Sequence, residues 1–190
     1  MFARLDEKKA RLDSHRPLPP AILAKLAEFF RVDWTFHSNA IEGSTITLAE
    51  TRAILLDGVT IGGKSLREHL EVIVPPDVST VPSLMYDFAR WLGSDETRAM
   101  HAIEFSARAH FKFVNIHPFI DGNGRTARVL MNLILIRAGF PPAVIQVKTR
   151  APYYVALRQA DAGNPNDFIA LIADAVERSL DIYLDMLPKS

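Results

Sequence analysis

The sequence predicts an all-α protein of seven to nine helices built as a single domain. Three observations carry this expectation. Helix-start signals recur along the chain, strand signals are nearly absent, and the long apolar segments repeat at spacings of three and four instead of two. A chain of 190 residues suits one core, which at this size buries roughly 70% of the surface an extended chain exposes.

The elements follow in order. Residues 1–17, MFARLDEKKARLDSHRP, are charged throughout and lack the apolar stretch of a signal peptide. Thr47-Leu-Ala-Glu50 and Ser65-Leu-Arg-Glu68 fit the capping box, in which a hydroxyl takes one orphan N–H and the Glu reaches back to another. They predict helices over 48–57 and 66–74, separated and followed by turns at 58–63 (GVTIGG) and 75–79 (PPDVS). Thr80 ahead of Pro82 opens a helix over 81–92. Phe105, Ala109, Phe113 and Ile116 mark a mainly buried helix ending near 116. From Thr126 to Ala138 the residues are apolar around almost the whole circumference, which predicts a helix buried on all sides and stopped by Gly139 and Pro141. Val144-Ile-Gln-Val147 is the one short β-like run. Thr149 with Pro152 opens a helix over 150–162, and Asn164-Pro165 opens an amphipathic one over 166–187.

Composition excludes several classes of function. With 22 Lys+Arg against 22 Asp+Glu, no global field draws the chain to nucleic acid or an anionic membrane, so any anion site is local. No Cys is present, which removes disulfides, thiolate nucleophiles and Cys-based zinc sites. No apolar stretch approaches the roughly 20 residues that span a bilayer. A cytoplasmic protein is the expectation.

The most informative stretch lies between the two apolar helices: His117-Pro-Phe-Ile-Asp-Gly-Asn-Gly124. Gly122, Asn123 and Gly124 let successive N–H groups converge into an anion-binding nest at a helix N-terminus, where the dipole adds roughly half a positive charge. Arg125 and Arg128 emerge from the first turn of that helix, where cations oppose the dipole; their placement calls for an anion. Two guanidinium forks beside a nest suit a di- or triphosphate. Asp121 offers the rim carboxylate that Mg²⁺ takes together with phosphate oxygens, and His117 is the loop's only neutral-pH base. His101, His110 and His117 are spaced unlike a zinc site.

HPFIDGNGRTAR, from His117 to Arg128, resembles the signature of the Fic (FIDO) family, His-x-Phe-x-Asp/Glu-Gly-Asn-Gly-Arg-x-x-Arg, at every defined position. The resemblance is closest to the branch with an N-terminal inhibitory helix, which includes the animal endoplasmic-reticulum AMPylator and deAMPylator. It implies an all-α fold with a central helix–loop–helix active site. Residues 1–45 would form N-terminal helices including the inhibitory one, and 46–190 the catalytic core. It further implies a protein adenylyltransferase: His117 takes the proton of a Ser, Thr or Tyr hydroxyl on a target protein, which attacks the α-phosphate of ATP. Asp121 holds Mg²⁺, Gly122, Asn123 and Gly124 line the anion hole, and Arg125 and Arg128 bind the outer phosphates. Kinase-like toxins of the family carry Lys where Gly124 stands. The resemblance is silent on the target and leaves a homodimer open.

Ser38-Asn-Ala-Ile-Glu42-Gly43 is similar to the family's inhibitory motif, Ser/Thr-x-x-x-Glu-Gly/Asn. That likeness implies that Glu42 pairs with Arg128 and fills the γ-phosphate's space. By itself Glu42 also reads as a solvated helix-end carboxylate. A second role implied in this branch is to position water for removal of AMP from a modified target. Tyr153 and Tyr154 stand where the resemblance places nucleoside contacts, and they read equally as core aromatics; Asp161 stands where relatives often have an Asn near the adenine. One departure is large: Val74 runs straight into Pro75-Pro76-Asp77, so about 50 residues of the usual pattern, including a β-hairpin flap that holds the target by strand addition, are missing. Without the flap, a catalytically poor nucleotide-binding or interaction module is a third reading.

Overall fold

A computed structural model of the chain describes residues 2–57 and 78–188. The predicted helix at 66–74, its capping box, the turn at 58–63 and the Val74–Asp77 junction lie outside them. The described residues form nine α-helices: α1 (Ala3–Asp13), α2 (Pro20–Ile41), α3 (Leu48–Asp57), α4 (Val81–Leu92), α5 (Asp95–Ala99), α6 (Ala102–Ile116), α7 (Asn123–Arg137), α8 (Arg150–Asp161) and α9 (Asn166–Asp185). No strand occurs among them.

The predicted starts hold with different chemistry at different helices. At α3 the capping box is complete: Glu50 N–H donates to Thr47 Oγ1 at 3.2 Å, and Thr47 N–H donates back to Glu50 Oε2 at 2.8 Å. Thr80 and Thr149 precede α4 and α8 without capping them through their side chains. A 3-10 turn at 78–80 feeds α4, and another at Val147–Thr149 feeds α8, so a tighter turn introduces each helix instead. His101 caps α6, its Nδ1 accepting from Ile103 N–H at 3.2 Å while its Nε2 faces Asp6 at 3.0 Å. Those contacts give it a structural use.

The centre of the molecule is α6. One face buries Ile103, Ala107 and Phe111 in the main cluster with α1, α2, α8 and α9; the other buries Ala109 and Phe113 against Phe88 of α4 and Ala127 of α7. Helix α1 lies on α9, with Leu5 and Leu12 in the core and Lys8 bridging Glu177 and Asp181.

Two expectations are corrected. Helix α7 is not buried on all sides: Val129, Leu133 and Ile136 are 56%, 52% and 52% exposed. These three share one stripe at spacings of four and three, and the core takes only the opposite face, through Ala127, Met131 and Leu135. The β-like run at 144–147 forms no strand. Its Val144 and Ile145 are buried beside Ala143, whose N–H and C=O both bond the buried side chain of Asn132 at 2.7 and 3.1 Å. A polar side chain inside α7 thus does what a neighbouring strand would do.

Candidate active site

The loop begins where α6 is forced to end. His117 adopts the left-handed conformation, φ 50° and ψ 54°, with its N–H on Phe113 C=O at 3.2 Å. A non-glycine residue rarely does this, and His more readily than most. Gly122, at φ 85°, turns the chain back into α7. Asn123, the first residue of α7, staples the loop between them: its Oδ1 accepts from Phe119 N–H at 2.9 Å and its Nδ2 donates to Phe119 C=O at 2.6 Å. The side chain of Asn123 therefore shapes the loop.

Both arginines of the first turn of α7 have found carboxylates. Arg125 Nη2 lies 2.9 Å from each oxygen of Asp121 on the half-exposed rim. Arg128 is 2% exposed. Its Nη2 donates to Glu42 Oε1 at 2.6 Å and to Ser38 C=O at 2.9 Å, and its Nε donates to Ser38 Oγ at 2.9 Å. Burial alone would lower its pKa; Tyr153 and Glu42 beside it more than offset this and raise it. The anion that the sequence required is thus supplied twice from within the chain.

Glu42 also closes the mouth of α7. A Cβ placed on Gly124 would stand 2.5 Å from Glu42 Oε1 and 3.2 Å from Arg128 Nη1. Only glycine lets the carboxylate settle there. The position of Glu42 is set by the end of α2: Gly43, at φ 93°, donates to Ala40 C=O, and Ser44 N–H reaches Asn39 C=O, each at 3.1 Å. This is the Schellman arrangement that terminates a helix. The α2 dipole is unfavourable to a carboxylate at its C-terminus, and the N-terminus of α7 compensates.

The two tyrosines separate. Tyr153 is 1% exposed, which takes the core alternative and turns its hydroxyl to the site from behind. Its Oη accepts from Arg128 Nη1 at 3.5 Å and lies 3.3 Å from His110 Nε2. Tyr154 is half-buried, with the Arg150 guanidinium 5.2 Å from its ring centre. Asp161 accepts from Asn115 Nδ2 at 2.8 Å.

Sequence reasoning missed three residues that hold this arrangement. Arg150 Nε donates to Ile41 C=O at 2.8 Å, and His37 Nδ1 accepts from Val147 N–H at 3.1 Å, so both tie the end of α2 to the core. Fully buried His110 backs Tyr153. For His110 a signal existed: it interrupts the apolar series Ile103, Ala107, Val114 at helical spacing. His37 and Arg150 contact residues far away in sequence, and no local pattern marks them.

The fold and site define an all-α protein whose central helix–loop–helix sets two arginines at a helix N-terminus and pairs the buried one with Glu42 from another helix end. The Fic/DOC family model matches residues 42–135. Protein adenylyltransferase Fic of Drosophila ananassae is 35% identical over 240 residues, covering 95% of this chain and 48% of that protein. Its counterpart in Culex quinquefasciatus is 33% identical over 237 residues, covering 96% and 47%. The alignments are longer than the chain itself, so these relatives carry residues inside the matched stretch that this chain lacks. The solved structure of Fic-1 (residues 134–508) from C. elegans superposes with a TM-score of 0.85 at 30% identity, covering 98% of this chain and 71% of that one. A Fic domain-containing signalling protein of Bacteroides thetaiotaomicron shares the fold, with a TM-score of 0.87 at 21% identity over 97% of each chain. The chain belongs to the Fic/DOC family. It spans about half the length of the curated relatives it matches.

Proposed function

We propose that this chain is a protein adenylyltransferase held in check by Glu42. The observation that carries the reading is the Glu42 carboxylate lodged between Gly124 and the buried Arg128 guanidinium. It sits where the helix N-terminus and the arginine would otherwise receive a terminal phosphate. Relatives named as adenylyltransferases support the same reading.

In the released state, ATP extends its outer phosphates to Arg125 and Arg128 over the backbone of Gly122–Gly124. The target hydroxyl attacks the α-phosphorus, the bond to the bridging oxygen breaks, and pyrophosphate leaves with that electron pair. His117 accepts the hydroxyl proton; its Nδ1 is buried and unpartnered. Arg128 counters the charge developing on the leaving group. Asp121, with its side chain 52% exposed, fits Mg²⁺ as a carboxylate reachable from the phosphate side. The ion supplies charge neutralisation along the phosphates. To serve it, Asp121 must share or release Arg125.

Incubation with labelled ATP tests this. Glu42→Gly should raise incorporation of AMP into the chain or an added protein at least about tenfold, since it restores a charged contact at the phosphate site. His117→Ala in that background should abolish it. If Glu42→Gly binds and transfers no more than the parent, restraint by Glu42 is refuted. Loss of AMP release from a modified target in Glu42→Gly, without gain of transfer, would show that removal is the main reaction.

A further inference from the structure

His110 is an unusual choice for its position. It is fully buried where α6 meets α8 and α9, with its ring centre 5.1 Å from that of Phe168 and 5.8 Å from that of Tyr153. Its Nδ1 has no hydrogen-bond partner. A Phe would fill the same space without burying an orphaned polar atom, which costs stability. The compensating feature is on the other side of the ring.

A guanidinium has donors only. Arg128 Nη1, 3.5 Å from Tyr153 Oη, therefore makes the phenol oxygen an acceptor, and the phenol proton must point elsewhere. His110 Nε2, 3.3 Å away, is the acceptor in reach. Burial, and then the positive charge of Arg128, keep His110 neutral. Nε2 is accordingly the bare nitrogen and Nδ1 carries the ring proton. The result is a chain of fixed polarity from Arg128 through Tyr153 to His110, on the flank of the guanidinium away from the Ser38 contacts.

We propose that His110 is a positioning residue: by holding the Tyr153 hydroxyl with its lone pairs toward Arg128, it keeps that guanidinium aimed at the mouth of α7 once Glu42 has left. Contacts from Ser38 and Glu42 belong to α2 and are lost or loosened if α2 shifts. The Tyr153–His110 contact joins α8 and α6 and persists in either state. This inference rests on the reading that Arg128 receives the outer phosphates of ATP.

The test is calorimetric binding of ATP and of AMP to the Glu42→Gly chain and its His110 derivatives. A residue acting through Arg128 affects only the ligand with outer phosphates. His110→Phe should weaken ATP about tenfold and leave AMP unchanged. Tyr153→Phe should do the same, and the double variant should be no weaker than either single one, because both remove one shared contact. His110→Gln, which returns an acceptor near Nε2, should recover most of the loss. Equal weakening of ATP and AMP, or no weakening of ATP, overturns the proposal. Should His110→Phe not fold, Tyr153→Phe decides by the same criterion. If Glu42→Gly with His110 intact takes up no ATP, the adenylyltransferase reading itself has failed and this inference falls with it.

Discussion

Glu42 stands between two helix ends of opposite sign, and the balance there decides how firmly the site is shut. Its carboxylate opposes the dipole of α2 and satisfies that of α7, while compensating an arginine with almost no access to water. Removing one partner of such a pair leaves an uncompensated charge, which costs more than the pair gains. Glu42→Gln keeps the shape and removes the charge. It should lower the unfolding free energy by about 2 kcal/mol, and saturating ATP should restore the melting temperature of the variant while shifting the parent far less, as a thermal-shift titration would show. Gly43 raises a related question of backbone. At φ 93° an alanine is strained by about 1 kcal/mol, so Gly43→Ala should lose that much stability in urea unfolding. It should also raise basal AMP transfer modestly, since the residue that fixes the exit of Glu42 from α2 has been disturbed.

At the level of the helix, α2 is held by bonds to distant parts of the chain: Arg128 to Ser38, Arg150 to Ile41, and Val147 to His37. A hydrogen bond from a charged donor is worth roughly 1.5–3 kcal/mol. Arg150→Ala should therefore release α2 in part, raising AMP transfer above the parent but below Glu42→Gly; labelled-ATP incorporation by the three chains side by side checks the order. The helices themselves were largely legible. The Thr47–Glu50 box, Pro82, Pro152 and Gly139 locate helix boundaries because caps and stops act locally, within a turn. What the sequence could not reveal was lateral. The apolar run of α7 carries no mark of which face is covered, since Val129 and Met131 look alike until the neighbours are placed. The candidate loop was legible because its residue types, Gly-Asn-Gly between His and Arg, are poor packers and need a chemical reason. The tie of Arg150 to Ile41 spans 109 residues and has no such local signature.

Across the whole molecule, the first and last helices close one core around α6, and the site is fastened to that core through His110. The protonation of this residue therefore bears on global stability. Its ordinary pKa is 6.5, and burial, then the Arg128 charge, hold it well below that value in the folded state. The charged group facing it is Arg128, through the Tyr153 hydroxyl; the other close neighbour, Phe168, carries none. Below pH 6.5 the unfolded chain binds a proton at His110 that the folded chain does not, so stability rises with pH through this window and is lost as pH falls. The slope from this residue alone approaches about 1.4 kcal/mol per pH unit between 6.5 and the folded pKa. The parent chain should accordingly melt at lower temperature at pH 5 than at pH 7. In His110→Gln, which has no proton to take up, the difference in melting temperature should shrink by the few degrees that correspond to about 2 kcal/mol, the slope accumulated over the roughly 1.5 pH units from 6.5 down to 5. Calorimetric melting of both chains at the two pH values measures it, and an unchanged difference would mean that the imidazole titrates alike in the folded and unfolded chains.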